Sequence, residues 1–554
     1  MAVLRLLSLL LVIALFSVQM GFANAQTEDD PEPKAAEAIK ERLRTFGVEG
    51  GLVRAPSTNK VLARSESNMA ILESGQHSYR MAINSTPLED RNSRLPPSDL
   101  VSFSYASDVT ENLKERPVLF AFNGGPGSSS MWLHMGAWGP KRIATPGTPD
   151  RFSLPPYPLE ENRAFLIDVA DLVFVDPIGT GLSRARDPEQ AQAFFSVTGD
   201  AGSLCSYVTQ WLRAEGRWGA PVYLAGESYG SLRIAAMAVH PGCRQLRRHL
   251  KGLIFVSGLL DLTQNRRYSL TVSLPTRAAL AWYHGFVDRS LWDNDLEAFL
   301  DEAIDVAVND VSSALLKGHS ISSADEAALM SKIARLTGLS ETNRPESLEE
   351  LKAAFARQAR QAGFRGYDIY DARFTNQRIE GSKRPVSLNF SNFVDVFSTH
   401  LGEMVLDLTG FDLSGEYVAM NLGSALRRWR YNSSSGTQGG GVNLARELAR
   451  KSRLQANVRA WKQGEREKSA DDNKQVEITV NAPVSGPRLM VVSGLHDLVT
   501  PFFGMELALQ SAGFSPDAYE IHLYEGGHMM YFDKEIGEQL ANDVRAFIAS
   551  GEES

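Results

Sequence analysis

Pro221-Val222-Tyr223-Leu224-Ala225-Gly226-Glu227-Ser228-Tyr229-Gly230 joins five apolar residues to a serine bracketed by glycines. Residues 231–239 then continue with helical periodicity. A strand, a tight turn and a helix in that order push a serine hydroxyl out above a sheet, where it can act as a nucleophile. The flanking glycines supply the close backbone approach, and the freedom at φ, that a sharp strand-to-helix reversal requires. Five residues are a short pattern, so its weight rests on what precedes and follows it.

Two groups follow in a useful order. Residues 488–493 form an apolar run that predicts a buried strand, and 494–501 predict the loop leaving it, with Asp497 at the carboxyl end. That edge of a sheet is where functional side chains collect. A second short strand over 519–524 delivers Glu525-Gly526-Gly527-His528-Met529-Met530, ahead of a final helix over 534–549. Nucleophile, acid, then histidine is the order of an α/β-hydrolase triad. A serine hydroxyl is a weak nucleophile until a neutral imidazole takes its proton, and a buried carboxylate fixes the tautomer and stabilises the imidazolium. Taken singly, a histidine after two glycines is more often a turn residue than a base, and Asp497 also reads as a loop cap; taken together with Ser228, their order favours catalysis. His522, within the strand, is expected to point into the packing of the sheet. His496, beside the acid, is expected to be structural.

Upstream, an apolar strand over 117–122 runs into Asn123-Gly124-Gly125-Pro126-Gly127-Ser128-Ser129-Ser130. Consecutive glycines let backbone N–H groups turn inward, which is how an oxyanion hole is built. A phosphate cradle would need the GxxxxGK[ST] spacing, and the loop has neither that spacing nor the lysine.

Four blocks together resemble the serine carboxypeptidase family, which includes carboxypeptidase C and cathepsin A. They are 123–130; Asp176-Pro177-Ile178-Gly179-Thr180-Gly181-Leu182-Ser183; 226–230; and the acid and histidine segments, 494–501 and 526–529. The longer stretch 122–130 with Leu133-His134 looks most similar to bacterial members. The resemblance implies Ser228, Asp497 and His528 as the triad, and the N–H groups of Gly125 and Tyr229 as the oxyanion hole. It implies that Asn123, the Gly124 backbone and Glu227 hold the free carboxylate of a peptide's C-terminal residue. A carboxylate bound beside Glu227 requires a shared proton, because two adjacent negative charges are costly. Peptide or protein C-termini are then the expected substrate, through an acyl-enzyme and with no metal or organic cofactor. An esterase or acyltransferase on the same triad is the alternative, and a non-catalytic binding or protective protein is a third reading.

The sequence also departs from that family's pattern. A tryptophan usually stands two residues before the asparagine, where this chain has Ala121; a second glutamate usually stands two residues before a Gly-Pro, where it has Ala137. The carboxylate pair is thereby reduced to Glu227. Protonated His134, close in sequence, is one candidate to compensate.

The chain has 554 residues and a net charge of −9, without a basic stripe, which gives no reason to expect nucleic-acid binding. Residues 1–25 predict a signal peptide: Arg5, an apolar core over 6–18, and Ala23-Asn24-Ala25 as a small-residue cleavage pattern. The core is short for a bilayer span, so the mature protein is expected to be exported and free of the membrane. Export to a bacterial periplasm or medium is favoured by the scarcity of cysteines, with a lysosomal, vacuolar or secretory location if the chain is eukaryotic. The two cysteines, Cys205 and Cys243, lie near the helices flanking the nucleophile strand. A disulfide and two separate thiols both remain open. The sequons at Asn84, Asn389 and Asn432 would matter only in a eukaryotic secretory pathway.

The pattern along the chain predicts an α/β-hydrolase fold with a mostly parallel central sheet. Antiparallel strands are expected over about 50–105, and alternating strand and helix over 117–262. The first part of the core is expected over 26–272, an inserted, mainly helical cap with a flexible loop over 273–440, and the second part of the core over 441–554. Helices within the insertion are predicted over 291–308, 324–336 and 347–362. The glycine-rich stretch 431–441 predicts a flexible loop, and 463–474 a charged surface segment.

Overall fold

Uninterrupted apolar runs predict strands covered on both faces, and the strands at the centre of this protein have that character. A computed structural model describes residues 60–551 except 89–94, 110–111, 150–155, 263–267, 341, 376–389, 414, 432–442 and 452–485. The predicted signal peptide, glycine-rich loop and charged segment lie outside the described residues, apart from Tyr431 at the start of that loop, as do Asn389 and Asn432.

The strands are β1 (Lys60–Arg64), β2 (Asn68–Leu72), β3 (Gly75–Leu88), β4 (Ser98–Ser107), β5 (Val118–Phe122), β6 (Lys141–Ile143), β7 (Leu159–Glu161), β8 (Asp171–Asp176), β9 (Arg184–Ala185), β10 (Val222–Glu227), β11 (Leu250–Val256), β12 (Arg488–Gly494) and β13 (Tyr519–Tyr524). Eleven of them form one sheet in the order β1-β3-β4-β8-β5-β10-β11-β12-β13, with β2 beside β3 and β9 beside β4. Pairing is antiparallel from β1 to β8 and parallel from β8 through β13. β6 and β7 pair separately.

Side chains alternate across the sheet. Tyr223 and Ala225 of β10, with Met490 and Val492 of β12, join one hydrophobic cluster. Val222 and Leu224, with Leu489 and Val491, join the cluster on the other face. Helices α1 (Val197–Ala214) and α2 (Tyr229–Val239) cover the second face. Between β11 and β12 the chain runs through α3 (Ser269–Tyr283), α4 (Leu296–Asp305), α5 (Ser312–Lys317), α6 (Ser323–Thr337), α7 (Leu351–Gln361) and α8 (Phe390–Thr409). After β12 come α9 (Phe503–Ser511), on the second face, and α10 (Lys534–Ser550), which covers the first.

The segment between β11 and β12 has two destinations. Helices α3 to α7 pack around a cluster of their own, built from Leu274, Phe299, Ile333 and Phe355 and joined to the core by Leu495, Phe502 and Phe503. Helix α8 instead lays Phe397, Leu401 and Val405 onto the first face of the sheet. Sequence periodicity had located α4, α6 and α7 to within a few residues, but not α8.

Register decides where the site falls. Gly226 of β10 stands beside Phe122 of β5 and Phe255 of β11, and Val256 of β11 beside Val492 of β12. The loops that leave these four parallel strands therefore emerge side by side at one edge of the sheet, where α/β folds place their ligands. Cys205 of α1 and Cys243, just beyond α2, form a disulfide with Cα atoms 5.0 Å apart, which settles the alternative left open by the sequence. The topology is that of an α/β hydrolase.

Candidate active site

β10 ends at Glu227 and α2 begins at Tyr229, so Ser228 alone makes the reversal, at φ 57° and ψ −125°. A non-glycine residue held at positive φ stores strain that the surroundings must stabilise. Here the Ser228 N–H donates to Val256 O at 2.9 Å, and the Ser231 N–H donates to Ser228 O at 3.0 Å. The reversal is tight: a Cβ on Gly226 would stand 2.1 Å from the Gly230 carbonyl oxygen.

His528 and Asp497 are both buried. His528 Nδ1 lies 2.7 Å from Asp497 Oδ2. Asp497 Oδ1 accepts from the N–H groups of Val499 at 2.8 Å and Thr500 at 3.0 Å, so the carboxylate is fixed by its own loop. Thr500 Oγ1 lies 2.6 Å from Asp497 Oδ2 and 2.8 Å from Ser257 O, and its one proton serves either. Burial by itself would lower the His528 pKa; the Asp497 charge and hydrogen bond, with Glu227, outweigh it and raise the imidazole above its ordinary value. Ser228 and His528 line the same cleft, of about 80 Å³, without a hydrogen bond between them. Such bonds commonly tighten only when substrate is in place.

The loop after β5 closes the other side. Gly124 and Gly125 line the cleft with Ser228. Neither the Gly125 nor the Tyr229 N–H donates to another group among the described residues. The block 176–183 explains how that loop is held: Asp176 Oδ1 accepts from the Ser130 N–H at 2.8 Å, and Ser183 Oγ donates to Asp176 O at 2.6 Å. Burial pushes the Asp176 carboxyl up to about 7, against the lowering effect of its hydrogen bonds to Ser130 and Tyr417.

Asn123 and Glu227 meet below the nucleophile. Asn123 Nδ2 donates to Glu227 Oε2 at 2.8 Å, and Tyr531 Oη donates to the same oxygen at 2.6 Å. Burial raises the Glu227 pKa to about 7, opposed by His528 and by those two hydrogen bonds. The remaining wall of the cleft is largely apolar, with Trp132, Met420, Leu422, Leu426 and Val499 beside Tyr370.

The expectation for His134 is corrected. Its ring is buried, stacked on Phe174 at 4.3 Å between centroids, and its Nε2 lies 2.7 Å from Tyr105 Oη. Burial lowers its pKa to about 3, so it is neutral and supplies no positive charge to the cleft. His522 departs from expectation as well. It sits on the edge strand β13 with its side chain 30% exposed, near Asp543 and Glu520 rather than within the packing. His496 is structural: it is buried, with its ring 5.2 Å from that of Tyr283.

Several residues of the site carried no signal in the sequence. Arg233, buried in α2, donates through Nε to Asp200 Oδ2 at 2.7 Å and through Nη1 to the Asn123 carbonyl. Arg373 donates to Glu525 O at 2.6 Å and pairs with Asp371, bracing the histidine loop. Tyr370 and Tyr531 were equally silent, because each acts through a neighbour distant in sequence, and so was Thr500, whose contacts with Ser257 and His528 arise only on folding. For Tyr531 the spacing from His528 was visible, but nothing showed that its hydroxyl would reach Glu227.

Over 170 residues the chain is 25% identical to serine carboxypeptidase-like 13 of Arabidopsis thaliana, covering 30% of this chain and 38% of that protein. Over 164 residues it is 32% identical to the pheromone-processing carboxypeptidase KEX1 of Yarrowia lipolytica, covering 29% and 24%. The matched segments thus span well under half the length of these relatives. Among solved structures, a prohormone-processing carboxypeptidase from Saccharomyces cerevisiae aligns over 84% of this chain and 91% of its own, at 15% identity and a TM-score of 0.44. The model of the serine carboxypeptidase family matches residues 99–535, from β4 to the start of α10, and the chain belongs to that family.

Proposed function

We propose that the protein is a serine carboxypeptidase that removes residues from the C-termini of peptides. The observation that carries this reading is Glu227. It is a buried acid held by Asn123, with a pKa raised to about 7, opening on the same cleft as Ser228. An acid that keeps its proton near neutral pH can donate it to a carboxylate, and a peptide carries one beside its last peptide bond.

In this reading Ser228 Oγ attacks the carbonyl of the last peptide bond while His528 Nε2 takes its proton. Asp497 holds the imidazole by Nδ1 and stabilises the imidazolium. The N–H groups of Gly125 and Tyr229 receive the oxyanion. His528 then gives the proton to the departing amine, and water activated by the same imidazole releases the shortened peptide from Ser228. The apolar wall favours apolar side chains beside the scissile bond. Helices α3 to α7 serve as a cap, and Tyr370, Met420, Leu422 and Leu426, from the chain between β11 and β12, line the cleft. Export is supported by the disulfide, since such bonds persist in oxidising compartments. Bacterial origin rests on the stretch 122–130 with Leu133-His134 and on the scarcity of cysteines.

The test is mass spectrometry of a peptide pool with free and amidated C-termini, incubated with the protein and with Ser228→Ala. Stepwise loss from free peptides only, absent in the variant, supports the reading. Equal attack on amidated peptides, or none on either, rejects it in favour of esters or acyl transfer.

A further inference from the structure

Tyr531 is buried, and its ring lies against Gly136, where a Cβ would stand 2.6 Å from Cε2. The next residue, Ala137, is buried and offers no polar side-chain atom to the site. The Tyr531 backbone is anchored as well, because Arg142 Nη2 donates to the carbonyls of Tyr531 at 3.3 Å and Phe532 at 3.1 Å. The phenol donates its hydroxyl proton to Glu227 Oε2 at 2.6 Å, with the Asn123 side chain also in hydrogen-bonding reach of its oxygen.

The Asn123 amide reaches Glu227 Oε2 as well, and it can only donate there. Asn123 Oδ1 already accepts from the Leu133 N–H at 3.0 Å, which fixes Nδ2 toward Glu227. No hydrogen bond of the described residues reaches Glu227 Oε1. An oxygen that accepts from two donors is a poor place for a proton, so the acid form is biased toward carrying it on the other oxygen.

We propose that Tyr531 is a positioning residue for Glu227: with Asn123 it occupies Oε2, so that the acid proton sits on Oε1 and is presented to the carboxylate of a peptide's C-terminal residue. This rests on the reading of Glu227 as the ligand of that carboxylate. Burial and the Glu227 charge both raise the Tyr531 pKa, so the phenol keeps its proton and remains a donor.

The experiment compares wild type, Tyr531→Phe, Glu227→Gln and the double variant on one apolar dipeptide sequence with a free C-terminus and on an ester lacking that carboxylate. Phenylalanine keeps the ring on Gly136 and removes only the hydroxyl. Loss of a hydrogen bond to an ionisable group is expected to raise KM for the free peptide roughly 10- to 100-fold. The peptide kcat and the ester kcat/KM should change far less. In the Glu227→Gln background, Tyr531→Phe should add little, because its effect runs through Glu227. An unchanged peptide KM in Tyr531→Phe overturns the proposal while leaving the Glu227 reading intact. A fall in ester hydrolysis as large as that in peptide hydrolysis also overturns it, because it assigns Tyr531 a structural role only. A wild type that does not distinguish peptide from ester removes the Glu227 reading, and this proposal with it.

Discussion

Asn123 Nδ2 stands 2.8 Å from Glu227 Oε2, and Arg233 donates to the backbone carbonyl of the same asparagine. Asn123 is therefore fixed at both ends, and Glu227 is placed relative to Ser228 by groups that have no freedom to follow it.

That placement gives a pH signature. Glu227 must be protonated to bind a carboxylate, and its pKa is raised to about 7 by burial. Binding should persist below that value and be lost as pH rises through it. His528 must be neutral to accept the Ser228 proton, and its pKa is raised too, so activity should rise with pH on the acid side. For free peptides kcat/KM is expected to be bell-shaped. For an ester without a carboxylate the descending limb should be missing. A pH–rate series on both substrates checks this, and the same descending limb on the ester would count against the assignment.

Asp497→Asn separates orientation from charge. An amide nitrogen facing His528 Nδ1 would favour the tautomer with its proton on Nε2, which cannot accept from Ser228. A loss of about 10⁴-fold in kcat is expected with little change in KM. Single-turnover kinetics should locate the loss in acylation. A loss of only a few-fold would mean that Asp497 is a loop cap, as its bonds to Val499 and Thr500 alone would suggest.

Much of this candidate site was legible in the sequence because the groups proposed to react sit on short loops that leave strongly apolar strands. The run before Ser228, and those before Asp497 and Asn123, fixed both the strands and the edge at which their loops emerge. Asp176 was visible as a block without a purpose, since only folding brings it to the Ser130 N–H. Arg233, Arg373 and Tyr531 were not legible at all. A charged or phenolic side chain on an otherwise apolar stretch looks the same whether it faces solvent or reaches a buried partner. His134 misled for the same reason: four residues beyond the loop in sequence, it turns into the aromatic core with Tyr105 and Phe174. Helix α8 was missed because its apolar face is matched to the sheet rather than to the neighbouring helices.

Arg233→Ala should destabilise the fold. The substitution leaves Asp200 buried without its cation and removes the donor to Asn123 O. Breaking a buried pair from one side costs about 3–5 kcal/mol. Chemical denaturation should show a lower midpoint with an unchanged slope. A midpoint like that of wild type would show that water or a neighbour replaces the guanidinium.

The disulfide closes a separation of 38 residues that includes β10 and the nucleophile turn. Replacing Cys205 and Cys243 together by alanine is expected to lower stability by about 2–4 kcal/mol. Both positions lie in the cluster behind the sheet, away from the cleft, so kcat measured well below the melting transition should stay near the wild-type value. A large fall in kcat would indicate that the cross-link sets the position of α2, and through it the Tyr229 N–H.

Gly124→Ala tests the oxyanion hole without touching the triad. A Cβ at Gly124 would stand 2.5 Å from Tyr229 N, 2.6 Å from Glu227 O and 2.8 Å from Gly230 N. All three are backbone atoms, so no side chain can swing aside and the loop must lift away from the turn. Gly125 moves with it, which displaces its N–H relative to that of Tyr229. Losing one such donor typically costs about 10²–10³ in kcat. The loss in kcat should appear with both peptide and ester, since both pass through an oxyanion, and labelling of Ser228 by a fluorophosphonate should slow with it. For the peptide alone KM should also rise, because the Gly124 backbone is expected to hold its carboxylate. Glu227→Gln, by contrast, should spare the ester. If Gly124→Ala keeps wild-type kcat on both substrates, the oxyanion is held elsewhere, and the glycines after Asn123 serve only to let the loop pack against α2.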